Sequence, residues 1–350
     1  MPLKQRLLDR YKRYRKRTYL NRPNHYRQGY AFVGAGQHSI DNLYPSLGYL
    51  GVPLKYICTR TAATAERMTL RYPGTIGTTH FEQVLEDPGV HGLFISTQPS
   101  FQAALTAQGL AAGKAVFVEK PPCHTLQELQ HLQRLEKETK TLCMVGLQRR
   151  YAPAYQILRR RLKHPLTYAL RYVTGTYPEG DALVELFIHP LDAAIFLFGP
   201  VVALYGRQAH ADHGQTFFLI TEHAGGVLGH LELSTAYSWR SATETLRINT
   251  RSGVYNLENM DRVTFESKPP HPVGLPLEKA FSSIKRTELL FEASRFAATG
   301  ASNSVVVQGY LPELRVFVDL VEAGHRSSPS SPAAIQPTYM LIEQIRQLPA

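Results

Sequence analysis

The sequence predicts an N-terminal doubly wound parallel sheet, followed by a C-terminal α+β domain with a large, mostly antiparallel open sheet. Three observations predict this fold class. Strands and helices alternate from residue 29 to residue 147, a glycine-rich turn follows the first strand, and the later strands follow one another with few helices between them. Regular alternation is typical of βαβ units in a parallel sheet, whereas adjacent strands are typical of an antiparallel sheet.

The first domain is predicted to contain six strands, and two of its helix boundaries carry specific signals. Gly113 lies just past the end of a helix, where glycine is favoured, and Thr125 with Glu128 forms a capping box. The expected strands are residues 29–33, 54–59, 75–79, 90–97, 115–118 and 142–147. The expected helices are one that ends near Tyr49 and those at residues 62–71, 81–85, 101–112 and 126–137.

The second domain is predicted to begin with a helix and to continue as a sheet. The helix is expected at residues 154–162, and the strands at residues 166–174, 203–209, 216–222, 227–234, 243–249 and 253–256. One helix at 181–198 interrupts these strands, and later helices are expected at 277–298 and 311–323. The predicted division is a basic arm (1–28), a Rossmann-type domain (29–150), an α+β domain (151–326) and a tail with a short helix (327–350).

Composition limits the class of protein. Of the 350 residues, 43% are hydrophobic, which is enough to form two cores, and no apolar run is long enough to cross a membrane. The N-terminus lacks the apolar region of a cleaved signal. Cys58, Cys123 and Cys143 lie too far apart for a disulfide or metal motif. We therefore expect a cytoplasmic protein without a metal site.

Most of the positive charge lies in the first 28 residues. They contain ten Lys or Arg residues against one acid, Asp9, so they carry +9 (10 − 1) of the net charge of +11. The other 322 residues therefore carry only +2 (11 − 9). Because residues 29–350 are close to neutral, the charge of the chain does not predict binding to nucleic acid.

The arm has the pattern of a basic amphipathic helix. Leu3, Leu7, Tyr11 and Tyr14 recur at helical intervals, and the stripe breaks at Thr18. One interpretation is contact with anionic lipid, which would make the protein peripheral to a membrane. A partner protein with an acidic groove is a second interpretation, and a solvated extension is a third.

A glycine turn follows the first strand and opens the first helix. Gly34 permits the tight turn, and Gly36 lets the backbone N–H groups of the turn, which includes Gln37 and His38, approach a pyrophosphate. Ser39 stands at the third glycine position and is small enough for close packing. At the start of six βα alternations, this pattern predicts a Rossmann dinucleotide-binding site.

The segment after the second strand predicts which dinucleotide binds. An acid there would bind the ribose 2′-hydroxyl of NAD, but residues 51–65 contain no carboxylate. Arg60 can instead pair with a 2′-phosphate, with Thr59 and Thr61 beside it. We therefore expect NADP(H) to be preferred over NAD(H). Further cofactor contacts are expected at the same sheet edge, from Thr97, Pro99 and Glu119.

The fifth strand ends in Glu119-Lys120-Pro121. A lysine at the sheet edge can hold a substrate hydroxyl and stabilise alkoxide charge as it develops. Pro121 fixes the turn and removes a competing donor. In isolation Lys120 would be an ordinary surface lysine, but the dinucleotide site gives it a reaction to assist.

A His-x-x-Asp pair lies in the helix expected at residues 181–198. Glu185, His189 and Asp192 stand at i, i+4 and i+7, so they would share one face, although Pro190 could kink it. Histidine is the natural proton acceptor near neutral pH, and Asp192 would orient it or hold the substrate. The spacing also allows a metal site, but no further Cys, His or Asp cluster supports one.

Together these residues resemble the Gfo/Idh/MocA family, the group of glucose–fructose oxidoreductase and inositol dehydrogenase. The resemblance runs from about residue 30 to residue 324 and includes an MviM-like stretch at Arg149-Arg150. It implies a Rossmann domain with an open-sheet domain, and pyranose or cyclitol substrates. It also implies that Lys120 polarises the substrate, His189 is the acid–base and Asp192 binds the substrate.

Two departures from the family pattern concern the substrate pocket. The family often has Asp where Glu185 stands and Gly where Phe187 stands. Tyr177, in a loop before the helix, is expected to close over the substrate. The candidate anchors for an anionic group, such as that of a nucleotide sugar, are Arg149, Arg150 and Arg171. Arg150 could equally be a structural ion-pair partner.

We therefore expect an oxidoreductase that transfers a hydride between a nicotinamide cofactor and a secondary hydroxyl or ketone of a sugar, nucleotide sugar or cyclitol. One alternative is a glycosidase or epimerase that oxidises its substrate only transiently. Another is a catalytically silent dinucleotide-binding sensor or scaffold. An uncovered sheet face would expose an apolar patch, so a homo-oligomer, dimer or tetramer, is expected through the open sheet.

Overall fold

The computed structural model describes residues 3–20, 26–211, 213–269, 286–293 and 303–349. Over these residues the chain forms a six-stranded sheet and then an eight-stranded sheet, which confirms the predicted fold class. A helix, α1 (Leu3–Leu20), precedes both sheets. It ends at Leu20, two residues past Thr18, where the apolar stripe breaks.

The first sheet is parallel and has the strand order β3-β2-β1-β4-β5-β6. Its strands are β1 (Gly29–Val33), β2 (Leu54–Cys58), β3 (Ile76–Thr78), β4 (Val90–Ile95), β5 (Ala115–Glu119) and β6 (Cys143–Gly146). Tyr30, Ala31 and Phe32 of β1 are all fully buried, as expected for a central strand covered on both faces. The order reverses between β1 and β4, and this reversal opens a crevice at the carboxyl ends of these strands.

The helices of this part lie close to their expected positions. They are α2 (Tyr44–Leu50), α3 (Ala62–Arg71), α4 (Phe81–Glu86), α5 (Pro99–Ala111) and α6 (Leu126–Thr139). The capping box of α6 is confirmed: the amide of Glu128 donates to Thr125 Oγ1 at 3.2 Å, and the amide of Thr125 donates to Glu128 Oε2 at 3.0 Å. The first helix has two parts, because a π-helical turn, Ser39–Leu43, leads into α2.

The second sheet has the order β14-β13-β12-β11-β7-β10-β9-β8. Its strands are β7 (Pro165–Val173), β8 (Val201–Ala211), β9 (Gly214–His223), β10 (Leu228–Ser234), β11 (Thr243–Thr250), β12 (Gly253–Glu258), β13 (Arg262–Ser267) and β14 (Thr287–Glu292). All neighbours are antiparallel except β7 and β10. The sheet is therefore mostly antiparallel, as predicted.

The last strand corrects the expectation of a helix at residues 277–298. Residues 287–292 form β14, which pairs with β13. This long-range pairing overrides the local pattern from which a helix was predicted. The rest of the expected helix, residues 277–285 and 294–298, lies outside the described residues.

The remaining helices are α7 (Pro153–Arg161), α8 (Ala182–Glu185), α9 (Ile188–Phe198), α10 (Ser304–Val307), α11 (Tyr310–Glu322) and α12 (Gln336–Arg346). The single helix expected at 181–198 is thus two helices. Pro190 lies in the first turn of α9, where its missing N–H breaks no helical bond, whereas a continuous helix would lose one there. The prediction of one shared face is therefore wrong for Glu185, which belongs to α8, while His189 and Asp192 both lie in α9.

One face of the second sheet is covered and the other is open. Along β9 and β10, buried residues such as Leu219 and Leu231 alternate with exposed ones such as Phe218 and Ile220. α9 packs against β7 on the covered side. The open side therefore presents apolar side chains to solvent over the described part of the sheet.

The end of the chain returns to the first sheet. α11 packs against α2, and the ring of Phe317 lies 5.2 Å from the ring of Phe94. α12 packs against both α6 and α9, and the hydroxyl of Tyr339 donates to the carbonyl of Cys123 at 2.7 Å. These contacts fix the second sheet and α9 over the carboxyl edge of the first sheet.

Candidate active site

The glycine turn lies at the carboxyl end of β1 and packs against the end of β4. Gly34 has a φ of 112°, and a Cβ there would lie 1.9 Å from the carbonyl oxygen of Ser96. Ser39 Oγ and Ser96 Oγ share a hydrogen bond of 2.9 Å, which fixes the start of the helical segment. A Cβ on Gly36 would meet no heavy atom within 4 Å, so the space above this residue is open.

The residues around this turn fit a nicotinamide dinucleotide. The open space at Gly36 lies before a helical segment, where backbone N–H groups can bind a pyrophosphate. His38 Nε2 and Glu119 Oε1 lie 3.6 Å apart, and neither has a hydrogen-bond partner among the described residues. Thr97 and Pro99 are half-buried at the end of β4. Polar groups and open space therefore lie together at the carboxyl edge of the first sheet.

The segment after β2 places an exposed arginine next to this edge. Arg60 is exposed, and no carboxylate occurs between residues 51 and 65. The hydroxyl of Thr59 donates to the carbonyl of Thr61 at 2.9 Å, so it supports the turn around Arg60. The arrangement leaves the guanidinium as the charged group that can meet an adenosine ribose.

The side chain of Lys120 extends from the end of β5 to α8. Its Nζ donates to the backbone carbonyl of Glu185 at 2.9 Å. Burial lowers the pKa of Lys120, and the neighbouring Glu119 opposes that change. An ammonium has three donors, and this contact occupies one of them. The contact thus joins the end of β5 to the end of α8.

His189 is buried beside Lys120. Burial is the main cause that lowers its pKa well below the ordinary imidazole value of 6.5, and the positive charges of Arg149 and Lys120 act in the same direction. Its Nδ1 has no hydrogen-bond partner among the described residues. The ring is therefore neutral at pH 7, and a neutral imidazole can accept a proton.

Asp192 forms a separate pair with Arg150. The guanidinium donates from Nε to Oδ2 at 2.7 Å and from Nη2 to Oδ1 at 2.6 Å, and Thr338 also donates to Oδ1 at 3.0 Å. Both members of the pair are buried. The structure thus brings Lys120 and His189 together, while the carboxylate of Asp192 holds Arg150 rather than the imidazole.

Arg149 is held in the same way by Glu244 of β11. Its Nε and Nη2 donate to the carboxylate at 3.1 and 2.6 Å, and the hydroxyl of Tyr155 donates to the same group at 2.5 Å. Burial alone would lower the pKa of Arg149, but the carboxylate outweighs it and raises the pKa. The guanidinium also lies 5.4 Å from the ring of Tyr172.

Arg171 lies away from this cluster. Successive side chains of a strand point to opposite faces. Tyr172 contacts Arg149 on the covered side of the sheet, so its neighbour Arg171 lies on the open side of β7. Its Nε donates to Glu232 at 2.8 Å, and its guanidinium lies 5.0 Å from the ring of Tyr237. Among the three predicted anchors, Arg171 is the one that the structure does not bring to the site.

Glu185 and Tyr177 lie at the mouth of the site. The hydroxyl of Tyr177 donates to Glu185 Oε2 at 3.0 Å. A Cβ on Gly180 would lie 2.2 Å from Glu185 Oε1, so a larger residue at this position would displace the carboxylate. The indole Nε1 of Trp239 donates to the carbonyl of Thr176 at 2.8 Å, which fixes the loop.

Two buried acids, Glu244 and Glu313, are not among the site residues predicted from the sequence. Glu244 is the partner of Arg149, and Glu313 of α11 accepts from the amide of Leu147 at 2.5 Å. Burial raises the pKa of Glu313 well above its usual range. Both acids stand on apolar faces, Glu244 among Leu246 and Ile248 and Glu313 within the Leu311–Phe317 stripe. An acid at an apolar position is the signal that would have found them.

No group of three or more His, Cys, Asp or Glu residues is arranged to hold a metal within the described ranges. The described helices also include none with the length and apolar character needed to cross a membrane.

Two family models match the chain. Residues 29–147 match a model described as an oxidoreductase family with an NAD-binding Rossmann fold, and residues 158–256 match the GFO/IDH/MocA C-terminal domain.

Curated proteins and solved structures show similar relationships. The chain is 33% identical over 195 residues to scyllo-inositol 2-dehydrogenase (NAD(+)) of Bacillus subtilis, covering 49% of this chain and 57% of that protein. It is 26% identical over 267 residues to inositol 2-dehydrogenase of Pseudomonas fluorescens, covering 71% and 72%. A dehydrogenase structure from Chromobacterium violaceum superposes with a TM-score of 0.80 at 19% identity, covering 91% and 94% of the two chains. The first curated relatives are matched over only about half of their length (57%, 56% and 51%).

The buried pair of Arg149 and Glu244 gives a stability prediction. Glu244→Gln leaves a buried guanidinium without its counter-charge, so we expect a loss of about 3–5 kcal/mol in the free energy of unfolding, measured by chemical denaturation. The matched control is Glu232→Gln, whose partner Arg171 lies on the open face, and here we expect about 1 kcal/mol or less. Equal losses for the two variants would contradict the assignment.

Proposed function

We propose that this chain, which belongs to the Gfo/Idh/MocA family of oxidoreductases, transfers a hydride between a nicotinamide dinucleotide and a secondary hydroxyl or ketone of a sugar-like substrate. The match of both family models confirms the resemblance seen in the sequence. The observation that supports the proposed activity is a half-buried lysine, Lys120, beside a neutral, buried histidine, His189, at the edge of a dinucleotide-binding sheet. Two relatives are named as dehydrogenases of inositols, which also supports oxidation of a ring hydroxyl.

In this proposal the two side chains divide the work on the substrate hydroxyl. Lys120 donates a hydrogen bond to the reacting oxygen and stabilises the negative charge that develops on it. His189 accepts the proton that leaves this oxygen, which its lowered pKa allows at neutral pH. A bound nicotinamide would accept the hydride from the substrate carbon. For reduction of a ketone, His189 would return the proton.

The residues proposed to hold the dinucleotide surround the glycine turn. The pyrophosphate would lie over the turn, and the other groups would contact the ribose and nicotinamide portions. They are Gly34, Gly36, Gln37, His38, Ser39, Thr59, Arg60, Thr97, Pro99, Glu119 and Lys120.

A transient use of the cofactor is the enzymatic alternative. A glycosidase or epimerase of this kind would convert substrate without accumulating reduced cofactor, so net cofactor turnover distinguishes it from a dehydrogenase. A silent sensor or scaffold would bind cofactor and convert no substrate. The presence of Lys120 and His189 together at the sheet edge favours catalysis over that second alternative.

The catalytic assignment predicts separable effects on turnover and binding. We expect Lys120→Ala and His189→Ala each to lower kcat by roughly 10²–10⁴, because each loses a group that acts on the reacting hydroxyl. The dissociation constant of the reduced cofactor, followed by fluorescence, should change much less than kcat, because Lys120 is only one of many residues proposed to hold the cofactor. A loss of cofactor binding without a loss of turnover would overturn the assignment.

We further propose that NADP(H) is preferred over NAD(H). The support is the exposed Arg60 after β2 and the lack of an acid in residues 51–65. The Bacillus subtilis relative carries NAD(+) in its name, so the two proteins would differ in this respect.

Arg60→Ala tests this preference. A charge-assisted contact with the 2′-phosphate contributes about 1.5–3 kcal/mol, so NADPH should bind roughly ten to a hundred times more weakly to the variant. NADH binding should be unchanged, since NADH lacks the phosphate. Tighter binding of NADH than NADPH by the unaltered chain would refute the preference.

Two interaction surfaces complete the proposal. The open sheet face, with exposed Tyr205, Phe218 and Ile220, would pair with a second copy of the chain. On α1, Leu3 and Leu7 are exposed within a strongly basic helix, which would contact anionic lipid.

Sedimentation of the full chain tests both surfaces in one experiment. Without vesicles we expect a mass of two or four chains, and Ile220→Glu should reduce it to one because a charge would be buried in the paired face.

With phosphatidylglycerol vesicles we expect the chain to co-sediment. Leu7→Glu and high salt should weaken this co-sedimentation, and phosphatidylcholine vesicles should not produce it. A single-chain mass without vesicles would refute pairing through the open sheet face. Equal binding to both kinds of vesicle would refute the contact of α1 with anionic lipid.

A further inference from the structure

The helix α11 runs over one face of β5 toward the carboxyl edge of the first sheet. The ring of Phe317 in α11 lies 5.8 Å from the ring of Phe117 in β5. At the start of the helix, the ring of Tyr310 lies 5.4 Å from the ring of His38 in the glycine turn. The first two turns of α11 therefore cover the space between the middle of β5 and the glycine turn.

Two acids, Glu313 and Glu119, stand within this space. Glu313 lies one turn before Phe317, on the same face of the helix, and Glu119 lies two residues after Phe117, on the same face of the strand. Four residues of a helix span about 6 Å and two residues of a strand about 7 Å. Because the two steps are similar in length and lead to the same edge, Glu313 faces Glu119.

The end of β6 contacts both acids. The amide of Leu147 donates to Glu313 Oε1 at 2.5 Å. A Cβ on Gly146, the residue before it, would lie 3.0 Å from Glu119 Oε1. The two carboxyl groups are therefore held against the same short segment of backbone.

Glu313 has no cation to balance a negative charge. The side chain is fully buried, and among the described residues none forms an ion pair with it. Arg150 acts on its pKa, but this guanidinium is already bound by Asp192 and by the carbonyls of Pro329 and Ala334. A carboxylate at this position would be an unpaired charge in the interior, which is costly.

One proton can satisfy both acids. Glu119 Oε1 and Glu313 Oε2 are buried, and neither has a hydrogen-bond partner among the described residues. Two facing carboxylates repel each other, whereas a carboxylic acid donates a hydrogen bond to a carboxylate. Burial is the main cause that raises the pKa of Glu313 well above the usual 4.5, and the charge of Glu119 acts in the same direction. Glu313 is thus the member of the pair that holds the proton.

We propose that Glu313 carries a proton at neutral pH and donates it in a hydrogen bond to Glu119 Oε1, and that Glu313 is thereby a positioning residue for the dinucleotide site. The amide of Lys120 donates to Glu119 Oε2 at 3.2 Å, so both oxygens of this carboxylate are held. Glu119 keeps one place and one charge beside His38. The shared proton stands on the geometry alone, whereas its effect on the dinucleotide rests on the proposed function.

The other groups around Glu313 do not replace Glu119 as the partner. Burial raises the pKa of both nearby tyrosines, so they stay neutral through the pH range of the tests, and Arg150 and Asp192 balance each other. The titratable and charged groups that face Glu313 are Glu119 of β5, Arg150 and Tyr151 of the turn after β6, Asp192 of α9 and Tyr310 of α11.

The stability of the chain without cofactor, measured by chemical denaturation from about pH 5 to about pH 8, tests the shared proton. Over this range a neutral Glu313 holds a proton in the folded chain that an ordinary carboxyl, with a pKa of 4.5, has released in the unfolded chain. Stability therefore falls as the pH rises, and this group alone increases the unfolding equilibrium constant by up to about tenfold per pH unit. Glu313→Gln has no such proton, so its equilibrium constant should rise less steeply by the same factor.

Glu244→Gln is the matched control, because it replaces a buried acid whose charge is paired with Arg149. It should destabilise the chain at every pH of the range and leave the slope unchanged, while Glu313→Gln should destabilise it much less. Equal slopes in Glu313→Gln and the unaltered chain would mean that Glu313 is charged in the folded chain, and the proposal would be wrong.

Binding of NADPH, followed by fluorescence, tests the positioning role. Glu313→Leu suits the apolar face of α11 but donates no hydrogen bond, so Glu119 has to be ordered when NADPH binds. We expect this variant to bind NADPH roughly two to ten times more weakly, the usual cost of ordering one side chain. The amide of Glu313→Gln can donate to Glu119, so this variant should recover the affinity.

The outcomes separate the two proposals. Equal affinities of Glu313→Leu and the unaltered chain would refute the positioning role and leave the proposed function intact. Equal weakening in Glu313→Leu and Glu313→Gln would contradict a hydrogen bond donated by Glu313. Absence of binding of both NADPH and NADH by the unaltered chain would overturn the positioning role together with the proposed function.

Discussion

Burial of charge between the two sheets is the constraint on which the rest of the structure depends. The chain after β6 places Arg149 and Arg150 in the interior, and burying a guanidinium is costly unless a carboxylate meets it there. Glu244 and Asp192 meet this requirement from β11 and α9. Because each pair joins residues that are distant in sequence, satisfying these charges also fixes the second sheet against the edge of the first.

The same constraint bears on Lys120 and His189. Lys120 is half-buried at this junction and contacts the carbonyl of Glu185 across it. His189 is buried close to the positive charges of Arg149 and Lys120, and both conditions favour its neutral form. The imidazole does not depend on Asp192 for this state, because that carboxylate is occupied by Arg150. Position in the fold therefore favours a neutral ring, without a carboxylate partner in the described structure.

Local patterns in the sequence were sufficient to predict most of the first sheet. Helix signals such as the Thr125 capping box, and apolar runs such as β1, depend on neighbours in sequence, and the structure confirms them. The break between α8 and α9 was anticipated only as a kink at Pro190. The strand β14 was missed because its pairing with β13 joins segments that are separated in sequence. The strand β13 was also missed, although it forms a hairpin with its neighbour β12.

The chemistry of the site was predictable in part for the same reason. Lys120 stands at the end of a recognisable strand, so its place at the sheet edge follows from the topology. The partners of the arginines do not follow from the topology, because Glu244 lies 95 residues from Arg149 and no local pattern connects them. Arg149 and Arg171 were accordingly interpreted as anchors, and Arg150 as either an anchor or an ion-pair partner, whereas all three are paired in the structure.

The pH dependence of kcat/KM is the measurement that tests the central claim most directly. If His189 is a buried base and Lys120 a half-buried cation, both with lowered pKa values, the acid limb should lie below pH 6.5 and the alkaline limb below pH 10.5, the ordinary pKa values of the two groups. The acid limb should also disappear in the residual activity of His189→Ala. An acid limb at or above pH 6.5, or one that persists in that variant, would contradict the account.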